Sequence, residues 1–142
     1  MKIAIINGIN LQCLGTREIN IYGEVSFDDY LKDLRKEFQD IDIEYFQSNN
    51  VTAVVEALYK FENYDGIILN PGAFTHTSII LADAIGAIKT PVVEVHISNL
   101  FGREMYRRHS ISASKCAGFI SGFGLDGYRM AINHFAHLNL QR

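Results

Sequence analysis

Gly66-Ile67-Ile68-Leu69-Asn70-Pro71-Gly72 decides the fold. Ile67, Ile68 and Leu69 follow one another without polar alternation, and Asn-Pro-Gly ends the run before it reaches helical length. Such a run reads as a strand buried on both faces, and strands of that kind belong to parallel sheets covered by helices. Toward the N-terminus, Val51 to Phe61 places Val51, Val54, Val55, Leu58 and Phe61 on one helical stripe. Before it, Ile41 to Gln47 alternates as a strand. Ser26 opens another helix as its N-cap, with Asp28 and Asp29 at the positive end of the dipole and Tyr30, Leu31, Leu34 and Phe38 facing inward. Lys2 to Asn7 is a second Ile-rich buried strand.

Toward the C-terminus the same alternation continues. Thr77 to Ile88 reads as a helix, Val92 to His96 as a strand, Gly118 to Ser121 as a weaker strand, and Gly127 to about Leu138 as a helix with Tyr128, Ala131, Ile132 and Phe135 inward. Five strands alternating with helices predict an α/β fold, a flavodoxin-like three-layer sandwich whose parallel sheet has the order 2-1-3-4-5. Residues 1–142 read as a single domain, with residues 8–25 forming a long loop without periodicity. A loop of that length reads as a lid, anchored by Leu11, Leu14 and Ile21 and hinged at Gly8, Gly15 and Gly23.

Composition bounds the partners. Hydrophobic residues make up 48% of the chain, enough for a core, and the net charge of -3 argues against a nucleic-acid grip as the main task. No apolar run approaches the roughly 18 residues of a membrane span, and the N-terminal run is too short for a signal peptide. Cys13 and Cys116 are too few for a four-ligand zinc site, and no histidine stands at ligand spacing from either. A soluble cytoplasmic protein with reduced thiols is the expectation.

Open α/β sheets bind ligands beyond the carboxyl ends of their strands. There the sequence concentrates its polar residues: Asn10, Arg17, Glu18 and Tyr22 after the first strand, Asn70, Gly72, Thr75 and His76 after the third, and His96, Ser98 and Asn99 after the fourth. Glu94 and His96 lie two apart and share one strand face, so the carboxylate is able to orient the imidazole for acid or base work. A core histidine satisfied by a neighbour is the competing reading. His76 by itself reads as structural, and His109, His134 and His137 as surface residues. A phenol with a pKa near ~10 is a poor base, so Tyr22 becomes reactive only where cations stabilise its phenolate. Arg17 lies in the same loop, and Arg103 is able to approach from the loop after the fourth strand.

These residues fall into motifs. Asn7-Gly8-Ile9-Asn10-Leu11, Leu14-Gly15, Arg17-Glu18, Ile21-Tyr22-Gly23, Gln47-Ser48-Asn49, Asn70 through Ser78, Glu94 through Asn99, Arg103-Glu104, Tyr106-Arg107, His109-Ser110 and Gly122-Phe123-Gly124 follow one another in an order that resembles the type II 3-dehydroquinate dehydratases over nearly the whole chain. The resemblance implies a cofactor-free lyase of the shikimate pathway, on the way to chorismate and the aromatic amino acids, or of quinate breakdown. It implies trans dehydration of 3-dehydroquinate through an enolate, without metal or Schiff base. Tyr22 would remove the proton beside the ketone as a phenolate stabilised by Arg17 and Arg103. A water near Asn10 would stabilise the enolate, and His96, held by Glu94, would protonate the departing hydroxyl. Asn70, Ser98 and the amides of Ile97 and Ser98 would hold the substrate carboxylate. His76 and Arg107 would bind ring hydroxyls, and Gly72 would support the site. Asp83 would reach a neighbouring subunit's site, in trimers that build a homododecamer.

The chain departs from the family pattern at several positions. Ile9 and Ile19 stand where prolines are usual, Gln12 and Cys13 replace Asn-Leu, Asn50-Val51-Thr52 lacks the usual Glu-Gly, and Phe101-Gly102 replaces His-Ala. Losing two prolines is expected to loosen the lid. Two other readings stay open at this level: a relative of altered substrate or lost activity, and a flavodoxin-like small-molecule binding module. The second lacks a glycine-rich phosphate loop.

Overall fold

In the computed structural model, which describes residues 1–142, the strand Lys2–Asn7 (β1) buries every residue after Lys2. Alternation then divides its side chains between two layers. Ile3 and Ile5 pack with Phe27, Leu31, Leu34, Tyr128, Ile132 and Phe135, whereas Ala4 and Ile6 pack with Val54, Leu58, Phe61, Leu81 and Ile85. Burying each such large aliphatic side chain contributes about 1.5–3 kcal/mol, so the doubly covered strand is the axis of the core.

The remaining elements in chain order are a short helix Ile19–Tyr22 (α1), helix Phe27–Glu37 (α2), strand Asp42–Gln47 (β2), helix Val51–Lys60 (α3), strand Gly66–Asn70 (β3), short helix Phe74–Thr77 (α4), helix Ile79–Ala87 (α5), strand Val92–His96 (β4), strand Gly118–Ser121 (β5) and helix Asp126–Leu140 (α6). The sheet is parallel in the order β2-β1-β3-β4-β5, which bears out the predicted topology. Its register aligns Asn7 with Asn70, Leu69 with Glu94 and His96 with Ser121, so polar strand ends meet along one edge. No helix is long and apolar enough to cross a membrane.

Local chemistry sets the helix starts. Ser26 Oγ accepts from Asp29 N–H at 3.2 Å, as its position predicts. Asn50 Oδ1 accepts from the N–H groups of Thr52 and Ala53 at 2.9 and 3.3 Å, so the unusual Asn50-Val51-Thr52 segment caps α3. The helix expected over Thr77–Ile88 is present as Ile79–Ala87, and a short helix that the sequence did not suggest, Phe74–Thr77, precedes it. Ser78 adopts an extended backbone and its Oγ accepts from Leu81 N–H at 3.0 Å, which ends α4 and starts α5. The loop after β1 is also more ordered than its sequence suggests. A 3-10 turn spans Leu11–Cys13 and α1 spans Ile19–Tyr22, both too short to leave a periodic signal. Leu11 and Leu14 are buried as anchors, and Ile21 is half-buried.

Two glycines let the loops after β1 and β3 touch backbone to backbone. A Cβ at Gly8 would collide with the Pro71 carbonyl, and one at Gly72, where φ is +59°, would lie 2.7 Å from the Ile9 carbonyl oxygen.

Candidate active site

The register of β1 against β3 brings Asn7 and Asn70 side by side beneath α6. Tyr128 Oη donates to Asn7 Oδ1 at 2.8 Å and accepts from Asn70 Nδ2 at 2.8 Å. Asn70 Oδ1 accepts from Gly72 N–H at 3.1 Å, so the amide is held from two sides. Burial raises the Tyr128 pKa strongly and keeps the phenol neutral, the state in which it donates and accepts at once.

On β4, Glu94 and His96 face the layer of α3 and α5, the same side as Val92. Glu94 is fully buried and His96 is 5% exposed. His96 Nε2 lies 2.6 Å from Glu94 Oε1, and Nδ1 has no partner within the chain. Thr75 and Ser112 donate to the two carboxylate oxygens at 2.6 and 2.7 Å, and Ser110 lies 3.0 Å from Oε1. Burial pushes the Glu94 carboxyl upward. The His96 hydrogen bond and charge, with the Thr75 and Ser112 bonds, outweigh burial and hold it below its ordinary value. The Cys116 thiol, 3.8 Å from Oε2, is pushed up by burial and by the Glu94 charge, so it stays protonated.

The loop after β1 supplies the opposite wall. Asn10 has φ +68°, and its N–H donates to Asn49 Oδ1 at 2.9 Å, fixing that left-handed turn against the end of β2. Glu18, also left-handed at φ +38°, precedes α1, so Ile19 occupies the first helical position, one that tolerates proline. A proline there would nonetheless disfavour the Glu18 conformation, so Ile19 and this loop backbone belong together. Tyr22 ends α1. Arg17 stands over its ring, Cζ to centroid 5.1 Å, and Arg103 Nη1 donates to Tyr22 Oη at 3.2 Å and to Ser98 Oγ at 3.0 Å. Burial works against the Arg103 charge, but the hydrogen bond to Tyr22 and the nearby Glu104 and Glu18 carboxylates outweigh it and raise its pKa. Glu104 Oε2 lies 3.5 Å from Arg103 Nε and 3.0 Å from Arg107 Nε.

These walls enclose a cavity of about 140 Å³. Asn10, Arg17, Tyr22, Asn70, Gly72, His76, His96, Ile97, Ser98, Arg103 and Arg107 all line it. Two sequence candidates do not. Glu94 stands behind His96, and Asp83 is exposed on α5 away from the cavity. His76 is more than the structural histidine its local sequence suggests. Its Nδ1 lies 2.7 Å from the His109 carbonyl, which only accepts, so Nδ1 carries the proton. Burial lowers its pKa against that bond, so Nε2 is free to accept. No group of three His, Cys, Asp or Glu side chains is placed to share a metal ion. The sequence reading gave no role to Tyr128 Oη, Asn49, Glu104 or the three hydroxyls around Glu94.

A family model described as "Dehydroquinase class II" matches residues 1–136. The chain belongs to the class II dehydroquinases. It is 46% identical over 135 residues to a 3-dehydroquinate dehydratase of Carboxydothermus hydrogenoformans, covering 93% of this chain and 88% of that one. A protein of the same name from Caldicellulosiruptor bescii is also 46% identical over 135 residues, covering 92% and 93%. Among solved structures, the type II dehydroquinase of Butyrivibrio crossotus superposes with a TM-score of 0.93 at 39% identity, over 96% of this chain and 97% of that one. Within this dehydroquinase family the departures at Ile9, Ile19, Gln12 and Cys13 all fall in the loop after β1, while β3 and β4 end in the expected motifs.

Proposed function

We propose that this class II dehydroquinase converts 3-dehydroquinate to 3-dehydroshikimate by trans elimination of water through an enolate. The observation that carries the reading is the pairing across one cavity of Tyr22, bound by Arg103 and covered by Arg17, with His96 anchored on Glu94. Tyr22 as phenolate takes the proton beside the ketone, and the two guanidiniums offset its charge. The electrons move to the ketone oxygen, where a water held at Asn10 and the surrounding dipoles stabilise the enolate. As the enolate collapses, the C–O bond breaks and His96 gives its Nδ1 proton to the departing hydroxyl, which leaves as water. Asn70, Ser98 and the backbone amides of Ile97 and Ser98 hold the carboxylate. His76 accepts from a ring hydroxyl through Nε2, and Arg107 donates to another. Gly72 lets the backbone lie close. Neither metal nor cofactor enters this scheme.

The direct test is to mix the protein with 3-dehydroquinate and follow the ultraviolet absorbance of the conjugated enone. Turnover is expected, and it survives a chelator and borohydride treatment in the presence of substrate. Loss of activity to EDTA, or covalent trapping by borohydride, would overturn the mechanism.

The reading extends to assembly and location. Residues 1–142 act as one catalytic domain, in a cytoplasmic homo-oligomer of trimers that reaches a homododecamer. Exposed Ile79 and Ile80 beside exposed Asp83 on α5 support a subunit contact there. Light scattering tests it, and a clean monomer would remove the role of Asp83 toward a neighbouring site.

A further inference from the structure

We propose that Thr75 and Ser112 are positioning residues of the dehydration: their hydroxyls fix the Glu94 carboxylate, and through it the ring of His96. The inference rests on the reading of His96 as the acid and adds the device that holds it in that role.

The geometry is a cage. Glu94 reaches into the apolar layer formed by Val92, Leu81 and Ile85, where an unpartnered carboxylate is costly. Thr75 from α4 donates to Oε1 at 2.6 Å, and Ser112 from the 3-10 turn Ser112–Lys115 donates to Oε2 at 2.7 Å. Both residues are fully buried, so neither hydroxyl has water as an alternative partner. Ser110 completes the cluster, 3.0 Å from Oε1 and 2.5 Å from Thr75 Oγ1, and is itself held by Ala113 N–H at 2.9 Å. Each hydroxyl owns one proton. With Thr75 and Ser112 donating to the carboxylate, Ser110 gives its proton either to Oε1 or to Thr75 Oγ1.

Oε1 takes the contacts of Thr75, Ser110 and His96 Nε2, and Oε2 that of Ser112 with the Cys116 thiol at 3.8 Å, so both oxygens face donors. The hydroxyls meet Glu94 as donors, and while they do so the anion is the favoured state of the carboxyl. The titratable groups in contact with it are His96 on its own strand and Cys116 ahead of β5, whose thiol stays protonated. Phe119 packs against the His96 ring at 5.5 Å between centroids, and His76 faces His96 from α4. The cage therefore decides where the proton between Glu94 and His96 resides. Held as an anion, Glu94 leaves that proton on Nε2, and a second proton at Nδ1 makes an imidazolium, a good acid. Stripped of donors, Glu94 takes the Nε2 proton, and the cavity sees a neutral imidazole N–H, a poor acid.

The test compares Thr75→Val, which keeps shape and removes the hydroxyl, with Thr75→Ser, which keeps the hydroxyl, alongside Ser112→Ala. Steady-state rates with 3-dehydroquinate are read beside nitrogen NMR of the His96 ring in the substrate-free protein across pH. The full loss of an acid is worth about 10²–10⁴-fold, so Thr75→Val and Ser112→Ala are expected to lower kcat about tenfold with KM within about twofold. In both, the Glu94–His96 pair takes up its proton at higher pH, yet the ring nitrogens report less imidazolium. Thr75→Ser stays close to the parent in both readouts. Unchanged kcat, a loss carried by KM, or a loss of kcat with an unmoved titration would overturn the proposal. Should Thr75→Val fail to fold, Ser112→Ala makes the same comparison. The ring titration needs no turnover, so absence of activity in the parent protein would sink the dehydratase reading alone.

Discussion

Arg103 donates from a single nitrogen, Nη1, to the phenol oxygen of Tyr22, a residue 81 positions earlier in the chain, and the same nitrogen reaches Ser98 just past β4. One guanidinium therefore ties the loop after β1 to the sheet edge. Arg103→Met keeps the aliphatic stem and removes the charge with both donations. It is expected to lower kcat by about 10²-fold, and Tyr22→Phe by at least as much, with melting temperatures little changed. Steady-state kinetics and thermal unfolding check this. A Tyr22→Phe protein at near-full rate would remove the phenol from its role.

Glu94→Gln places an amide donor among groups that already donate. At neutral pH it is expected to destabilise the chain by about 1–3 kcal/mol, measured by urea unfolding. The pH dependence has a definite sign. The folded carboxyl is held below its ordinary value of 4.5, so its stabilisation is complete above that value and is lost as pH falls through the lower folded value. The Gln variant lacks this part of the acid sensitivity, and the two unfolding curves converge on acidification.

Tyr128→Phe leaves Asn7 Oδ1 without its donor and Asn70 Nδ2 without its acceptor in a fully buried site. The expected cost is about 1–3 kcal/mol of stability. Because Asn70 loses its orientation rather than its chemistry, KM rises more than kcat falls. Equal loss in both would place Tyr128 in the reaction rather than beneath it.

His76 titrates below the ordinary histidine value of 6.5 because burial disfavours its charged form. Below that value the unfolded chain takes up a proton that the folded chain resists, so stability falls as pH drops from there to the folded value and is flat above it. His76→Asn removes this slope while keeping a donor toward the His109 carbonyl. Unfolding free energies of the two proteins across that window check the sign.

The legible part of the molecule was the part written in long apolar runs. The stretches Gly66–Asn70 and Val92–His96 announced β3 and β4 because both faces are buried, and their polar ends pointed to the site. Glu94 and His96 were readable together because strand alternation alone puts them on one face. Tyr22 was less so, because Arg103 lies far along the chain: the loops allowed the two to meet, and only the family motif gave the pair a role. Tyr128 read as one more aromatic on a helix stripe, since periodicity registers the ring and is blind to the hydroxyl. The hydroxyl cage left no trace for a similar reason: Thr75 and Ser112 lie 37 residues apart in segments without period. The short helix Phe74–Thr77 was hidden because four residues make barely one turn and leave no period.

The contact of Gly8 with Pro71, and of Gly72 with Ile9, joins the loops after β1 and β3 through main chain at the edge of the cavity. Substitution has little purchase on such a seam, because an added carbon strikes a carbonyl. A redesigned or diverging ligand preference must then arise from the walls, at Ile9, Leu14, Ala73 and the arginines, while positions 8 and 72 stay fixed. A mutational scan scored for folded yield would show this as deep minima at the two glycines.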